Sequence, residues 1–167
     1  MIPSLIQECA VKINGSEKIV GVSSFQLPDI SFKEEEINVL GLGGYKEVIK
    51  SMPEAMTTTM KFLGVDKTGL KLTAGKKINL ILAAVIQKED DEKIGEIGLY
   101  VTIKGSIKSH KFGEVAQNGK LEPEIEINLS YFKLEIDKEI IYEIDQKNTV
   151  LIVEGEDLRA GINAIIG

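Results

Sequence analysis

Hydrophobic and polar residues alternate along much of this chain, most clearly over residues 122–145. From Ile125 to Tyr131 every second residue is apolar. The residues between them are polar: Glu126, Asn128 and Ser130. A repeat of two residues places one set of side chains on each face of an extended strand. The pattern therefore predicts a β-strand with one buried and one solvated face.

The alternation changes phase at Tyr131-Phe132, since Leu134 and Ile136 continue from Phe132 and not from Tyr131. A β-bulge, which inserts one residue into a strand, accounts for such a change. Asp137-Lys138 then separates this strand from a second amphipathic one. Residues 122–145 are therefore predicted to form a long antiparallel hairpin that contains a bulge.

Similar alternation occurs in other parts of the chain. Further strands are predicted at residues 9–13, 19–27, 55–63, 78–87, 97–104 and 149–153. Residues 78–87 are apolar at nearly every position, so this strand is expected to be buried on both faces. Asn14-Gly15 predicts a tight turn, residues 88–93 a charged turn and residues 109–122 a loop. Residues 31–40 suit an extended ribbon about as well as a loop, with apolar residues at Phe32, Ile37 and Val39. Asp66 is the expected cap of a short helix. The spacing of apolar residues in 156–167 predicts a closing helix. The fold class is mainly β, an antiparallel sandwich or barrel with one or two short helices.

Residues 40–53 combine glycines with apolar side chains, an unusual mixture for a connecting segment. The glycines of this segment are Gly41, Gly43 and Gly44. Its apolar residues are Leu40, Leu42, Tyr45, Val48, Ile49 and Met52. A loop this apolar is not left in solvent. Either it folds back on its own domain or it packs on a partner, and the residues alone leave both alternatives open.

Composition and charge narrow the function classes. A length of 167 residues fits a single domain over 1–167 with a core that needs no disulfide. The net charge of −6 and the pI near 5.0 argue against a general nucleic-acid binder, which needs a basic surface. No apolar run approaches the roughly 18–20 residues that span a bilayer, and no signal peptide is recognisable. We therefore expect synthesis in the bacterial cytoplasm and no membrane anchoring.

No set of residues predicts catalysis. His110 is the only histidine, and it has no cysteine, histidine or paired carboxylate at ligand spacing. Cys9, the only cysteine, is expected to be a small core residue. We expect neither a metal site nor a cofactor, and a protein that is not an enzyme.

Several of these segments together resemble the major tail tube protein family of contractile-tailed phages and contractile (R-type) bacteriocins. The resemblance is carried by L-S-Y-F-K-L at 129–134, E-I-D at 143–145, and the G-E-D-L-R-A sequence with the helix that follows it at 155–167. Asn14-Gly15, Leu27-Pro28 and Glu34-Glu35 before the glycine-rich segment agree with the N-terminal half of the family in outline. Most of the chain is covered.

The resemblance implies a protomer that forms a hexameric ring with a continuous inner β-barrel. Rings stack into a hollow tube inside a sheath, and residues 34–54 form an extended loop between rings. The residues expected in this inter-ring loop are Glu34, Glu35, Leu40, Gly41, Leu42, Gly43, Gly44, Tyr45, Met52 and Pro53. On the polar faces of their strands, Thr57, Thr59, Lys61, Tyr100, Thr102 and Lys104 are candidates to line the lumen.

The function that follows is structural: the chain builds the inner tube of a phage tail or bacteriocin particle, and sheath contraction drives that tube through a target cell envelope. Expected partners are further copies of the chain, the sheath protein, and tape-measure, baseplate and tail-terminator proteins. DNA is only a transient cargo, and only if the particle is a phage. Six chains at −6 each carry about −36 per ring, which discourages DNA from adhering.

Two alternatives remain. One is an Hcp-like tube of a type VI secretion system. The other is a monomeric β-barrel whose cavity binds a small apolar ligand between Met52, Met56, Met60 and residues 78–86.

Overall fold

The protein was analysed as a computed structural model, which describes residues 5–13, 17–19, 22–64 and 67–167. Strands account for most of these residues. The twelve strands are β1 (Leu5–Ile13), β2 (Glu17–Ile19), β3 (Val22–Gln26), β4 (Phe32–Val39), β5 (Gly43–Pro53), β6 (Met56–Phe62), β7 (Lys77–Glu89), β8 (Ile94–Lys111), β9 (Glu124–Ile136), β10 (Glu139–Asp145), β11 (Val150–Val153) and β12 (Glu156–Asp157). The two helices are α1 (Lys67–Leu70) and α2 (Ala160–Ile166). The predicted mainly β class is confirmed.

Ten strands form one antiparallel sheet, and β4 and β5 form a separate two-stranded sheet. The large sheet runs in the order β12-β11-β10-β9-β8-β7-β1-β2, with β6 and β3 attached through β9. β9 makes this branch because its first half pairs with β6 and its second half with β10, while β8 pairs along both halves. The sheet therefore divides at β9 into two branches that share a core.

The core is built from the inner faces of seven strands. Its largest fully buried side chains are Phe132, Met60, Leu80, Ile103, Ile107, Ile125, Ile127, Ile144, Leu151, Val11 and Val101. The predicted alternation is confirmed in β6, where Met56, Met60 and Phe62 are buried and Thr57 and Lys61 are exposed. Thr58 is buried with them, and its hydroxyl donates a hydrogen bond to the Gln26 carbonyl of β3. Burying a hydroxyl is costly unless it is bonded in this way.

The predicted bulge is present in β9, one residue earlier than expected. Lys104 and Gly105 are consecutive in β8, but they pair with Tyr131 and Leu129, which leaves Ser130 as the extra residue. Tyr131 is thereby turned onto the outer face, not onto the face of Ile125 as the alternation predicted. A Cβ atom at Gly105 would lie 2.1 Å from the Asn128 carbonyl oxygen, so only glycine fits opposite the bulge.

Three expectations on burial and length need correction. The outer face of β7, with Ile81, Ala83 and Val85, is only half-buried or exposed, because no element of the described part of the chain covers it. Cys9 is exposed and not in the core, since the outer half of β1 extends past the covered part of the sheet. The closing helix begins at Ala160, after the short strand β12, and none of its residues is buried.

Two of the predicted turns are present, and one lies outside the described residues. Asp137 and Lys138 have φ angles of 47° and 65°, as in the tight hairpin turn that their position predicts. The acidic segment between β7 and β8 is a turn, closed by a 2.9 Å hydrogen bond from the Asp90 N–H to the Lys93 carbonyl. Strand β8 continues to Lys111, into the segment expected to be a loop. The Asn14-Gly15 turn and the Asp66 cap lie outside the described residues.

The turn after β10 is organised by one carboxylate. Asp145 accepts hydrogen bonds from the Asn148 side-chain amide at 2.8 Å and from the Lys147 and Asn148 N–H groups at 3.2 Å. The Asn148 side chain contributes most to lowering the pKa of Asp145, with the backbone donors and the charge of Lys104 adding to it. The ionised carboxylate is therefore the form that holds this turn.

Replacing Asp145 with asparagine is expected to lower the free energy of unfolding at pH 7 by about 0.5 kcal/mol, a small effect because the site is largely solvated. Since the folded-state pKa is depressed, the stabilisation by Asp145 is present above its unfolded pKa and is lost as the pH falls through its folded pKa. Urea titrations of both proteins between pH 7 and about pH 2 should show the difference shrinking in acid. The matched control Asp91→Asn, in the exposed turn after β7, should show no such trend. A constant difference for Asp145→Asn would contradict this account.

Candidate assembly surfaces

The segment predicted as an inter-ring loop is a β-hairpin, formed by β4 and β5. Val39 and Gly43 form its last pair, and a 3.1 Å hydrogen bond from the Leu42 N–H to the Val39 carbonyl closes the turn. Gly41 and Gly43 have φ angles of 85° and 78°, a region that favours glycine. At Gly44 a Cβ atom would lie 2.6 Å from Asn38 Oδ1, so the Asn38 side chain would have to move to accommodate one. The glycines thus shape a tight tip.

The hairpin exposes its apolar side chains. Leu40 is fully exposed and Leu42 is 85 % exposed, both at the tip. Further exposed apolar residues on the two strands are Val39, Tyr45, Val48 and Met52. The segment does not fold back on its own domain. Of the two alternatives that its composition left open, packing on a partner is the one that fits this geometry.

The hairpin is fixed to the body of the protein at its base. The Glu54 N–H donates to the Ser31 carbonyl at 2.8 Å, and the Ser31 hydroxyl donates to the Glu54 carboxylate at 3.1 Å. The Gln146 side-chain amide, in the turn after β10, donates to the Glu54 carbonyl at 3.2 Å. Pro53 lies at this base, and Met52 lies one residue further out. Among the described residues, these hydrogen bonds hold the β4–β5 hairpin to the body of the protein at its base, and the hairpin is called the arm below.

The charged residues of the hairpin do little to stabilise it in the absence of a partner. Lys46 Nζ lies 3.5 Å from Glu34 Oε1, an exposed ion pair that contributes little. Glu35 pairs directly with Glu47 across the two strands, and like charges in that position destabilise a hairpin. A two-stranded sheet alone is marginally stable in water. Contact with another surface would stabilise it.

The six candidate lumen residues lie on the outer face of the large sheet. Thr57, Thr59 and Lys61 are on β6, beside the outward residues of the first half of β9. Tyr100, Thr102 and Lys104 are on β8, beside its second half. The bulge at Ser130 separates the two sets. Thr59 and Thr102 are half-buried, and the other four are exposed.

Lys104 belongs to a polar cluster on that face. Its Nζ lies 5.1 Å from the centre of the Tyr131 ring, and the Tyr131 hydroxyl donates to Glu143 Oε1 at 3.3 Å. Burial raises the pKa of Tyr131, and the neighbouring Glu143 carboxylate raises it further. Tyr131 therefore stays protonated and acts as a hydrogen-bond donor.

The large sheet has free edges. β1 pairs with β7 along its length, but only Val11 to Ile13 pair with β2. The outer edge of residues 5–10 is consequently unpaired within the described part of the chain, and Leu5 and Ile6 on it are exposed. At the other end of the sheet, β12 pairs only with β11 among the described strands. Free edges of this kind accept strands of another chain.

The side chains that commonly bind metal ions are dispersed over the described part of the fold. Within residues 5–13, 17–19, 22–64 and 67–167, no three His, Cys, Asp or Glu side chains are grouped to hold a metal ion. His110 lies in β8, where its Nδ1 is 2.8 Å from the Leu72 carbonyl oxygen and its ring stacks on Phe112. These contacts give His110 a structural role.

The alternative of an apolar ligand cavity is not supported by the methionines. Met56 and Met60 are packed in the core, whereas Met52 is exposed on the hairpin. The three residues therefore do not line one cavity.

Neither helix of the described chain is long and apolar enough to cross a bilayer.

Sequence reasoning missed several surface features. The free edge of β1 and the uncovered outer face of β7 depend on which strands pair, and the alternation pattern does not contain that information. Lys77 and Lys147 are far apart in sequence but line the same hollow beside Lys104. The residues of β4 gave a signal for an extended ribbon, since Phe32, Ile37 and Val39 suited a strand as well as a loop.

Comparison with known proteins gives a consistent result. The family model for phage tail tube protein FII matches residues 3–167. A search of curated proteins found no match. Among solved structures, a chain from the sheath/tube terminator of an extracellular contractile injection system, PVC, in the extended state has a TM-score of 0.56 at 16% identity, covering 81% of this chain and 98% of its own. A chain from the sheath-tube complex of PVC has a TM-score of 0.56 at 14% identity, covering 80% and 91%.

Proposed function

Because the chain belongs to the phage tail tube protein FII family and is a structural tail tube protein, we propose that it forms hexameric rings that stack into the inner tube of a contractile particle. The particle is a phage tail or a contractile bacteriocin. The sheath surrounds the tube, and its contraction drives the tube through the envelope of the target cell. The chain has no catalytic part in this process.

The observation that carries the proposal is the β4–β5 hairpin. It projects from the body with exposed leucines at its tip and is anchored only at its base. In a tube, the tip of this arm contacts the next ring, where Leu40, Leu42 and Tyr45 are covered. Burying apolar area of this kind contributes about 25 cal/mol per Å², so the arm is a large source of stacking free energy.

The open sheet supports lateral assembly. A ring in which each subunit completes the sheet of its neighbour pairs the free edge of β1. Such closure removes exposed edges altogether. The contact is head-to-tail, and the rotation between neighbouring subunits closes it into a ring after six copies.

The proposed tube implies further partners. The sheath protein contacts the outside of the tube, and tape-measure, baseplate and tail-terminator proteins set its length and ends. The polar set Thr57, Thr59, Lys61, Tyr100, Thr102 and Lys104 lines the lumen. DNA passes as cargo in a phage and is absent from a bacteriocin.

The purified protein is expected to form rings and rods that are visible in negative-stain electron microscopy, with the fraction in rods rising with protein concentration. Analytical ultracentrifugation should show a monomer, a ring and larger species in exchange. A single monomeric species at every concentration and salt condition would refute the proposed assembly.

A further inference from the structure

A hollow of about 510 Å³ lies on the outer face of the sheet, where the beginning of β7 meets β8 and β9. Three lysines line it: Lys77, Lys104 and Lys147. The other polar residues that line it are Asn79, Ser106, Asn128 and Ser130. None of the ten lining residues is acidic, although the chain as a whole carries a net charge of −6. The hollow is a local basic site on an acidic protein.

The lysines of this hollow differ in how far they are neutralised. Lys104 interacts with the Tyr131 ring and lies near enough to Asp145 to help lower the pKa of that carboxyl. Lys77 and Lys147 are exposed, and within the described part of the chain neither side chain has an ion-pair partner. The hollow therefore offers two free cations.

The opposite end of the same pair of strands carries the complementary charge. Glu89, Asp90, Asp91 and Glu92 follow one another through the turn between β7 and β8, and all four are exposed. Lys88 and Lys93 flank the turn. Among the described residues, none of the four carboxylates takes part in an ion pair. The turn is a projecting acidic tip.

The acidic tip and the basic hollow of one chain lie too far apart to meet. β7 has 13 residues from Lys77 to Glu89, which at about 3.3 Å per residue places its ends about 40 Å apart. The two charged surfaces lie at opposite ends of one rigid pair of strands. Two complementary surfaces at opposite ends of a subunit generate an open-ended filament when copies join head-to-tail.

We propose that the acidic turn of one subunit, residues 89–92, docks into the basic hollow of a subunit in the adjacent ring. This inference rests on the proposed stacking of rings and adds to it a second inter-ring contact, independent of the β4–β5 hairpin. The carboxylates of the turn contact Lys77 and Lys147. The contact fixes the polarity and the rotational position of each ring on the next, because opposite charges at an interface determine its register.

Charge reversal on each side tests the contact. The first variant carries Asp90→Lys, Asp91→Lys and Glu92→Lys, and the second carries Lys77→Glu and Lys147→Glu. Each is expected to form rings but to require at least about tenfold more protein to form rods, the equivalent of about 1.4 kcal/mol. The chain that combines both sets restores opposite charges and should form rods within about threefold of the wild-type concentration. Rod formation by the wild type should weaken between about 0.05 and 0.5 M salt.

The control carries Glu114→Lys and Glu122→Lys, two exposed acidic residues of the loop between β8 and β9, and should assemble as the wild type does. Circular dichroism checks that each variant is folded. If a reversed chain does not fold, the neutral versions (D90N/D91N/E92Q and K77Q/K147Q) replace it, with the same expected direction.

Two results would overturn the inference while leaving the tube assignment intact. One is that both reversed variants form rods at the wild-type concentration. The other is that both lose rods and the combined chain does not regain them. Absence of rings and rods from the wild-type protein is a different result, because it would overturn the proposed function as well.

Discussion

Deletion of residues 41–51 is expected to leave a folded subunit that forms no tubes. These residues contain the tip of the β4–β5 hairpin and most of β5, which belong to a sheet separate from the core. The core residues lie in other strands, so the deletion removes no buried packing. It does remove Leu42, Tyr45 and Val48, apolar residues that the proposed tube covers. Thermal unfolding followed by circular dichroism should remain cooperative, while electron microscopy should show no rods.

Substitution of the two leucines at the hairpin tip changes the protein concentration needed to form rods by a predictable factor. Leu40→Ser together with Leu42→Ser removes two apolar side chains, each worth at least about 1.5 kcal/mol when buried. The protein concentration needed to form rods should therefore rise about 100-fold. Val115→Ser is the matched control, since Val115 is also an apolar residue, 90% exposed, but lies in the loop between β8 and β9. Rod formation by the leucine variant at the concentration that suffices for the control would show that the hairpin is not an assembly arm.

Replacing Gly105 with alanine is expected to destabilise the subunit by at least about 3 kcal/mol, at the upper end of what overpacking costs. The added Cβ would lie 2.1 Å from the Asn128 carbonyl oxygen, and backbone cannot move aside as the end of a side chain does. Relief requires β8 to separate from β9 at the bulge, where both branches of the sheet are joined. Urea-induced unfolding followed by circular dichroism measures the loss.

Gly95→Ala is the control for this substitution, because Gly95 lies in the same strand and an added Cβ there meets nothing within 4 Å. Alanine at that position should leave stability unchanged or raise it slightly, because glycine weakens a strand interior. Equal stability of the two variants would mean that β9 does not pass Gly105 as closely as described.

Local pattern was sufficient for several of the strands and turns of this protein. Alternation identified β6, β8 and β9, and the phase change at Tyr131-Phe132 identified the bulge to within one residue. These features depend on neighbours in sequence, which the period of a strand reports directly. The acidic turn and the Asp137-Lys138 turn were found for the same reason.

Pairing between distant strands was not predictable from the pattern. The burial of β7 was overestimated because an apolar run shows which residues avoid water, but not whether their cover belongs to the same chain. Cys9 was misplaced for a related reason, since its strand extends beyond the region that other elements cover. The hairpin was predicted as a loop because its glycines suggested irregular backbone, whereas they serve a tight turn and a close approach to Asn38.

The unpaired outer edge of residues 5–10 links assembly to aggregation. An edge that accepts the strand of a correct neighbour also accepts other extended chains. A free subunit is therefore exposed to aggregation for as long as this edge stays unpaired, and pairing with another copy would remove the exposed N–H and C=O groups.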